Sequence, residues 1–336
     1  MTLELCLAFI ISFIVAVIVG KFYVPWLRKI KAGQAIREDG PTWHMSKSGT
    51  PTMGGVIFIA GVTVACLTVG FKAMMNGEYR HMIVLLFSLI FGAVGFLDDY
   101  EKLKKKQNLG LTAKKKFLLQ VVVAIVFIFV LRAMNCLDAN RVYVPFWNTT
   151  IHIPEVLYVI LAAFIIVGCV NAVNLTDGVD GLCTGTSIPV FLCYSAVAFI
   201  WGTKYAGLGV FAAGLAGGLL GFLVYNFNPA QVFMGDTGSL FLGGAVCAMA
   251  FAMDMPLILI PLGLLYIIET LSDIIQVTYF KLSHGKRIFK MAPFHHHLEM
   301  GGWTGKKWSE KELFTLFTCV SALCAVISFI AVFHRY

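Results

Sequence analysis

Long apolar segments fill most of this sequence and restrict what it can fold into. Hydrophobic residues make up 59% of its 336 residues, and charged residues make up 13%, about half the share found in soluble domains. A helix needs about 20 apolar residues to cross the hydrocarbon core of a bilayer. About ten segments approach that length: 3–24, 52–71, 80–98, 117–134, 156–174, 187–201, 206–225, 237–253, 256–280 and 312–333. We therefore expect an all-α polytopic membrane protein, with residues 1–336 forming one domain.

The placement of lysine and arginine predicts the orientation of these segments. Lys21, Arg28 and Lys29 follow the first segment, so the positive-inside rule places the amino terminus outside. The loops after every odd-numbered segment are then cytoplasmic and hold most of the 26 basic residues. The exceptions are Lys72, Arg80, Arg132, Arg141, Lys204 and Arg335. Orientation and anionic headgroups thus explain the net charge of +8.

We expect no nucleic-acid binding, because the basic runs flank helices and lack interleaved aromatic residues.

Two further patterns concern structure rather than chemistry. The external connection 135–155 alternates β-forming residues around a polar turn at Asn148, which predicts a small external β-hairpin. The nine cysteines contain no CxxC pair and lie mainly in apolar segments. They are expected to be buried, small hydrophobic residues rather than a disulfide or zinc framework.

Four polar clusters lie at the ends of predicted segments or between them, all on the predicted cytoplasmic face. They are Asp98 with Asp99, then 171–181, 233–236 and the histidines 295–297. A charged group deep in a bilayer costs ~2.5–3.5 kcal/mol or more, so paired acids at a helix end usually face a polar cavity. A solvated helix terminus is the simpler alternative for the aspartate pair. For Asp236 the simpler alternative is a helix cap.

The second cluster combines amides, acids and glycines. Asn171 and Asn174 are spaced i, i+3 and share one helical face. Asp177-Gly178 and Asp180-Gly181 then break the helix and let backbone approach a ligand closely. These donors and acceptors suit a base and ribose.

Acids at three helix ends also predict a metal site. Segments 3, 5 and 8 each present acids at their cytoplasmic ends. Oxygen ligands from separate helices suit Mg²⁺, which takes one or two carboxylates plus water and substrate phosphates. Consecutive histidines point in different directions, so His295, His296 and His297 are expected to meet phosphate rather than zinc.

Residues 47–55 supply a lysine, hydroxyl groups and glycines suited to cradling phosphate, without the spacing of a P-loop. Within the ninth segment, Glu269 and Asp273 share a helical face, where a structural and a functional role are equally open. Pro256 and Pro261 predict a kink or break near the start of that segment.

Taken together, these motifs resemble the bacterial phospho-N-acetylmuramoyl-pentapeptide transferases, within the polyprenyl-phosphate N-acetylhexosamine-1-phosphate transferase superfamily. The likeness covers nearly the whole chain. It implies ten helices, a homodimer in the bacterial cytoplasmic membrane and an active site on the cytoplasmic face. It also implies Mg²⁺-dependent transfer of phospho-MurNAc-pentapeptide from UDP to undecaprenyl phosphate, which gives lipid I and UMP.

The resemblance carries roles onto matching positions. It implies that Asp98, Asp99, Asp236 and His295 are catalytic, with the metal at Asp236 and Asp99. The implied substrate-binding residues are Lys47, Thr52, Lys106, Lys114, Asn171, Asn174, Asp177, Gly178, Asp180, Asn226, Phe233, His296 and His297. The register of the two lysines in the run 102–116 is ambiguous. Asp273 stands where the family pattern leads us to expect an apolar residue.

Two other functions remain open at this point. A sister enzyme that moves GlcNAc-1-phosphate would use the same aspartates, but the histidine triplet argues against it. An ion-coupled transporter would use intramembrane acids such as Glu269 and Asp273, and would show paired repeats that this sequence lacks.

Overall fold

The computed structural model describes residues 1–30, 32, 49–105 and 110–335, and these residues are mostly helical. The strands are β1 (Arg141–Val144) and β2 (Thr149–His152). The helices are α1 (Thr2–Lys29), α2 (Val56–Thr68), α3 (Phe71–Met75), α4 (Arg80–Lys105), α5 (Ala113–Ala133), α6 (Glu155–Thr176), α7 (Leu182–Trp201), α8 (Ala206–Asn226), α9 (Gly235–Ala252), α10 (Leu259–Leu262), α11 (Leu264–Leu282), α12 (Phe294–Glu299) and α13 (Glu310–Val332).

The predicted membrane segments are confirmed. Within the described ranges, nine helical spans are long and apolar enough to cross a membrane, and a bent pair of helices provides a tenth. That pair is Pro256–Leu262 with Leu264–Leu282, which meet at 80°. The break predicted near Pro256 and Pro261 is therefore present, and Gly263 lies at the junction.

The external hairpin and the free cysteines are also as predicted. β1 and β2 pair antiparallel between α5 and α6, with Arg141 opposite His152 and Val144 opposite Thr149. All nine cysteines are free thiols, but the expectation that they are buried is wrong for Cys6 and Cys319, which lie exposed on α1 and α13.

The glycine-rich helices form the centre of the bundle. In the apolar window of α9, 89% of the residues are buried, against 22% in the window of α1. α9 packs against α4 and α6, while α8 packs against α1, α2 and α7. Small residues allow such close helix contacts where lipid offers no hydrophobic driving force.

One glycine sets the crossing of α4 and α9. A Cβ added at Gly95 would lie 2.0 Å from the carbonyl oxygen of Asp236, so only glycine fits there. This close approach places the end of α4, with Asp98 and Asp99, beside the start of α9.

Candidate active site

The ends of α4, α6 and α9 meet, and each brings polar side chains to the same place. α4 carries Asp98 and Asp99 near its end, and both are almost fully buried. α6 carries Asn174 in its last turn, and α9 carries Asp236 in its first turn. The contacts among these groups define the candidate site.

Lys102 joins the two carboxylates that the sequence places far apart. Its Nζ lies 2.7 Å from Oδ2 of Asp98 and 2.9 Å from Oδ2 of Asp236. Lys102 is one helical turn after Asp98, so both side chains share a face of α4. The backbone N–H of Leu111 also donates to Oδ1 of Asp98, at 2.8 Å.

Asp236 gathers donors from two more helices. Lys116, in the first turn of α5, donates to its Oδ2 at 2.8 Å. Asn174 donates to its Oδ1 at 2.8 Å, and the Asn174 amide lies 2.7 Å from the Ser239 hydroxyl. Asp236 therefore lies where positive charge and hydrogen-bond donors from three other helices converge.

Asp99 has a different set of partners, all at the start of α9. Its Oδ1 accepts from the backbone N–H of Asp236 at 3.1 Å. Its Oδ2 accepts from the backbone N–H of Thr237 at 2.9 Å and from the Thr237 hydroxyl at 2.7 Å. The orphan N–H groups of α9 are thus satisfied by an acid from another helix. Asp236, for which a capping role was the simpler alternative, makes no such cap.

The loop after α6 and the loop after α8 are bound to each other. Oδ2 of Asp180 accepts from the Asn228 amide at 3.1 Å and from the backbone N–H of Ala230 at 2.9 Å. Asn226 accepts from the Thr184 hydroxyl at 2.8 Å and donates to the carbonyl of Val232 at 3.1 Å. These bonds fix the loop that carries Gly178.

Asp177 lies between this loop and the aspartate cluster. Burial raises the pKa of its carboxyl well above the usual range, and the neighbouring carboxylates of Asp236, Asp99 and Asp180 raise it further. A carboxyl in this position prefers to keep its proton until a cation or a donor group approaches.

Residues 51–55 place the predicted hydroxyl group beside the site. The backbone N–H of Phe233 donates to Pro51, and that of Gly54 donates to Phe233, both at 2.8 Å. Thr52 is buried between them, and its hydroxyl has no partner among the described residues. Its position beside Asp99 leaves that hydroxyl available for a ligand.

Other predicted substrate residues lie farther from the cluster or outside the described ranges. The side chain of Lys114 is exposed, and the Asn171 amide donates to Gln120 on α5 at 2.7 Å. Lys47 and Lys106 fall outside the described residues. The proposed substrate roles of these four residues stay predictions.

The three histidines of α12 have three different surroundings, as expected for consecutive residues. Nδ1 of His295 lies 2.9 Å from Glu269, and Nδ1 of His296 lies 2.6 Å from Glu299. Nδ1 of His297 accepts from the backbone N–H of Lys290 at 3.1 Å. Burial lowers the pKa of His297, and the nearby Lys290 lowers it further. His295 approaches the loop after α6, where it lies against Gly178.

Sequence reasoning missed several residues of the site. Lys102 had a usable signal, its i, i+4 spacing from Asp98. The other residues contact the site only through helix packing and had no local signal: Lys116, Thr237, Ser239 and, as the partner of His295, Glu269.

The donor set fits a magnesium ion. The ammonium of Lys102 lies between oxygens of Asp98 and Asp236, and so marks a position where these two carboxylates stabilise a cation. Within the described part of the chain, no group of three His, Cys, Asp or Glu side chains is arranged to hold a metal. An ion held by two carboxylates would complete its shell with water and substrate phosphate, as Mg²⁺ commonly does.

Two family models match parts of this chain, and named relatives match almost all of it. Residues 81–254 match the model of glycosyl transferase family 4, and residues 47–59 match the phospho-N-acetylmuramoyl-pentapeptide-transferase signature 1. Proteins named phospho-N-acetylmuramoyl-pentapeptide-transferase are similar over almost the full chain. The one from Listeria innocua is 44% identical over 95% of this chain and 95% of its own length. The one from Caldanaerobacter subterraneus subsp. tengcongensis is 44% identical over 97% of this chain and 98% of its own length.

Proposed function

Because this chain belongs to the phospho-N-acetylmuramoyl-pentapeptide-transferase family, we propose that it joins a nucleotide-linked sugar to a membrane lipid. It transfers phospho-MurNAc-pentapeptide from UDP-MurNAc-pentapeptide to undecaprenyl phosphate, and the products are lipid I and UMP. The observation that carries this proposal is the convergence of Asp98, Lys102, Lys116 and Asp236 at one end of the helix bundle. A cluster of this kind suits a reaction between two phosphate-bearing substrates.

The reaction exchanges one phosphorus–oxygen bond for another. A phosphate oxygen of the lipid attacks the β-phosphorus of the donor, the bond from that phosphorus to the bridging oxygen breaks, and UMP leaves. A lipid phosphate is already largely dianionic near neutral pH, since the second pKa of such a monoester is about 6. The protein must therefore mainly balance charge, and Lys102 and Lys116 are placed to do so.

Magnesium remains a proposal here, with Asp236 and Asp98 as its carboxylate ligands. When bound, Mg²⁺ would neutralise diphosphate charge and stabilise the leaving UMP. Asp99, which the resemblance named as a ligand, would then support the metal site through the start of α9. A direct attack is favoured over a two-step route through an aspartyl-phosphate.

Reconstitution tests this function. Purified protein in detergent is incubated with Mg²⁺, undecaprenyl phosphate and either UDP-MurNAc-pentapeptide or UDP-GlcNAc, and lipid product and UMP are measured together. We expect lipid I and equal UMP only with the first donor. Turnover of UDP-GlcNAc alone would assign the chain to the sister activity. UMP release in amounts equal to the enzyme without any lipid acceptor would favour the two-step route.

Three further features rest on the resemblance and on charge, and we propose them as well. They are a homodimer, the bacterial cytoplasmic membrane, and an orientation with the amino terminus outside and the site on the cytoplasmic face. Lys102 and Lys116 lie at the same end of the bundle, as the positive-inside rule requires of a cytoplasmic face. Labelling of single cysteines from each side of intact cells would test the orientation.

A further inference from the structure

A buried acid and a buried histidine meet behind the candidate site. Glu269 on α11 and His295 on α12 are both fully buried. Oε2 of Glu269 lies 2.9 Å from Nδ1 of His295, and Oε1 accepts from the backbone N–H of the same residue at 3.2 Å. Glu269 thus holds both the ring and the backbone of one histidine. A buried charge in a membrane protein is costly, which favours a functional reason for it.

The other ring nitrogen of His295 faces the loop after α6. A Cβ added at Gly178 would lie 2.3 Å from Nε2, so the absence of a side chain there makes room for the ring. Nε2 is buried and has no hydrogen-bond partner among the described residues. A buried polar atom without a partner is unusual, and at a site it indicates a position for a ligand.

The contact with Glu269 determines which nitrogen can take part in chemistry. Glu269 already accepts a hydrogen bond from the backbone N–H of His295, and a second acceptor oxygen of the same side chain facing Nδ1 favours the ring form with its proton on Nδ1. In the neutral ring Nε2 is then an acceptor, and in the protonated ring it is a donor. In both states the proton on Nδ1 stays in place, and only Nε2 can exchange hydrogen bonds or protons with a ligand.

We propose that Glu269 is a positioning residue for the transfer reaction, which acts by fixing the tautomer and orientation of His295 so that Nε2 faces the bound donor substrate. This inference rests on the proposed function, since it assigns a partner to the histidine of that same site. The chemistry that Nε2 would meet is a phosphate or hydroxyl oxygen of a nucleotide-linked sugar beside Gly178.

A double-mutant cycle tests whether Glu269 acts through His295. Glutamine at position 269 offers one acceptor oxygen for two donors, so Glu269→Gln should release either the ring or the backbone. We expect Glu269→Gln to lower kcat/KM by roughly 10- to 100-fold, as loss of an orienting partner does for metal-bound histidines. The double variant with His295→Ala should be no worse than His295→Ala alone. Losses that multiply in the double variant would overturn the proposal, as would full activity in either single variant.

Asp273→Asn is the matched control, because it removes the same charge from the same helix one turn away. Asp273 makes no ion pair with any residue that the structure describes, and the variant should keep wild-type kcat/KM. Thermal unfolding of each variant in detergent reports whether it is folded at the assay temperature.

A spectroscopic measurement addresses the tautomer in the wild-type protein, and a variant is needed only to assign the signal. Ring-¹⁵N NMR of the histidine-labelled wild type, assigned with His295→Ala, should show Nδ1 of His295 protonated. A neutral ring protonated only at Nε2 would contradict the proposal. This readout needs no turnover, so it separates the two ideas: wild-type protein that makes no lipid I would refute the proposed function, whatever the state of the ring.

Discussion

Lys116 donates a hydrogen bond of 2.8 Å to Asp236, although 120 residues separate them in the sequence. The lysine belongs to the first turn of α5 and the aspartate to the first turn of α9. The bond selects Lys116 from a run of three lysines at this helix start, since Lys114 and Lys115 are both exposed. Helix packing therefore decides which member of the run can reach Asp236.

Replacing Lys116 by alanine should impair transfer. The variant loses a charge-assisted hydrogen bond, of a kind that contributes about 1.5–3 kcal/mol, which corresponds to roughly a 10- to 100-fold fall in kcat/KM. Lys115→Ala, which removes an exposed neighbour with the same charge, should stay within about twofold of wild type. Initial rates of UMP release would measure both, and equal losses in the two variants would contradict the assignment of Lys116.

Asp236→Asn should lower turnover by at least about 10²-fold, because the site loses the carboxylate on which three donors converge. If Asp236 holds Mg²⁺, the variant should also need more magnesium for half-maximal activity. Glu101→Gln, at a half-exposed position near the end of α4 where the carboxylate pairs only with the neighbouring Lys105 among the described ion pairs, serves as the charge control and should behave as wild type. A magnesium titration with unchanged rate and midpoint in Asp236→Asn would exclude this metal ligand.

Gly95→Ala should destabilise the protein. The added Cβ would overlap the carbonyl oxygen of Asp236, and overpacking of this kind costs about 1–3 kcal/mol. Gly168 is the matched control, since it lies within α6 and an added Cβ would meet nothing within 4 Å. Gly168→Ala should be neutral or slightly stabilising through its better helix propensity. The midpoint temperatures of thermal unfolding of the two variants are measured in detergent. Similar midpoints for both variants would argue against the tight crossing of α4 and α9.

Asp254 should make stability depend on pH. Burial raises its pKa from 3.8 to about 6, although the Arg335 guanidinium 3.1 Å away opposes the shift. The folded state then keeps a proton that the unfolded state loses, so stability is highest in acid and falls as pH rises from about 4 to about 6. The expected change is about 3 kcal/mol. In Asp254→Asn this part of the pH dependence should disappear when unfolding is followed across that range, and an unchanged profile would rule out the raised pKa.

Much of the fold was predictable because a bilayer imposes its own pattern on sequence. The ten apolar segments, the break after Pro256 and the hairpin at β1 and β2 each have a local signal of length, composition or turn chemistry. The packing of α9 at the centre had only an indirect signal, since α9 is richer in glycine than the peripheral α1 and its apolar window has a mean hydropathy of 1.2, against 2.7 for α1. The glycines of α9 let other helices approach its backbone closely, but the helices that pack against it decide whether it is buried.

The sequence by itself determined which chemical groups the protein holds at one end of its helices, since acids, amides and histidines at segment ends are readable without coordinates. The family resemblance carried by those groups pointed to Asp236 as a metal candidate and to His295 within the triplet. Only the tertiary structure decided which groups contact each other. Lys102 and Lys116 pair with Asp236, Asp99 accepts hydrogen bonds from the first turn of α9, and Glu269 contacts His295. The physical reason is that helix positions follow from local periodicity, whereas contacts between helices depend on crossing angles and close approaches such as that of Gly95, to which residues distant in sequence contribute jointly.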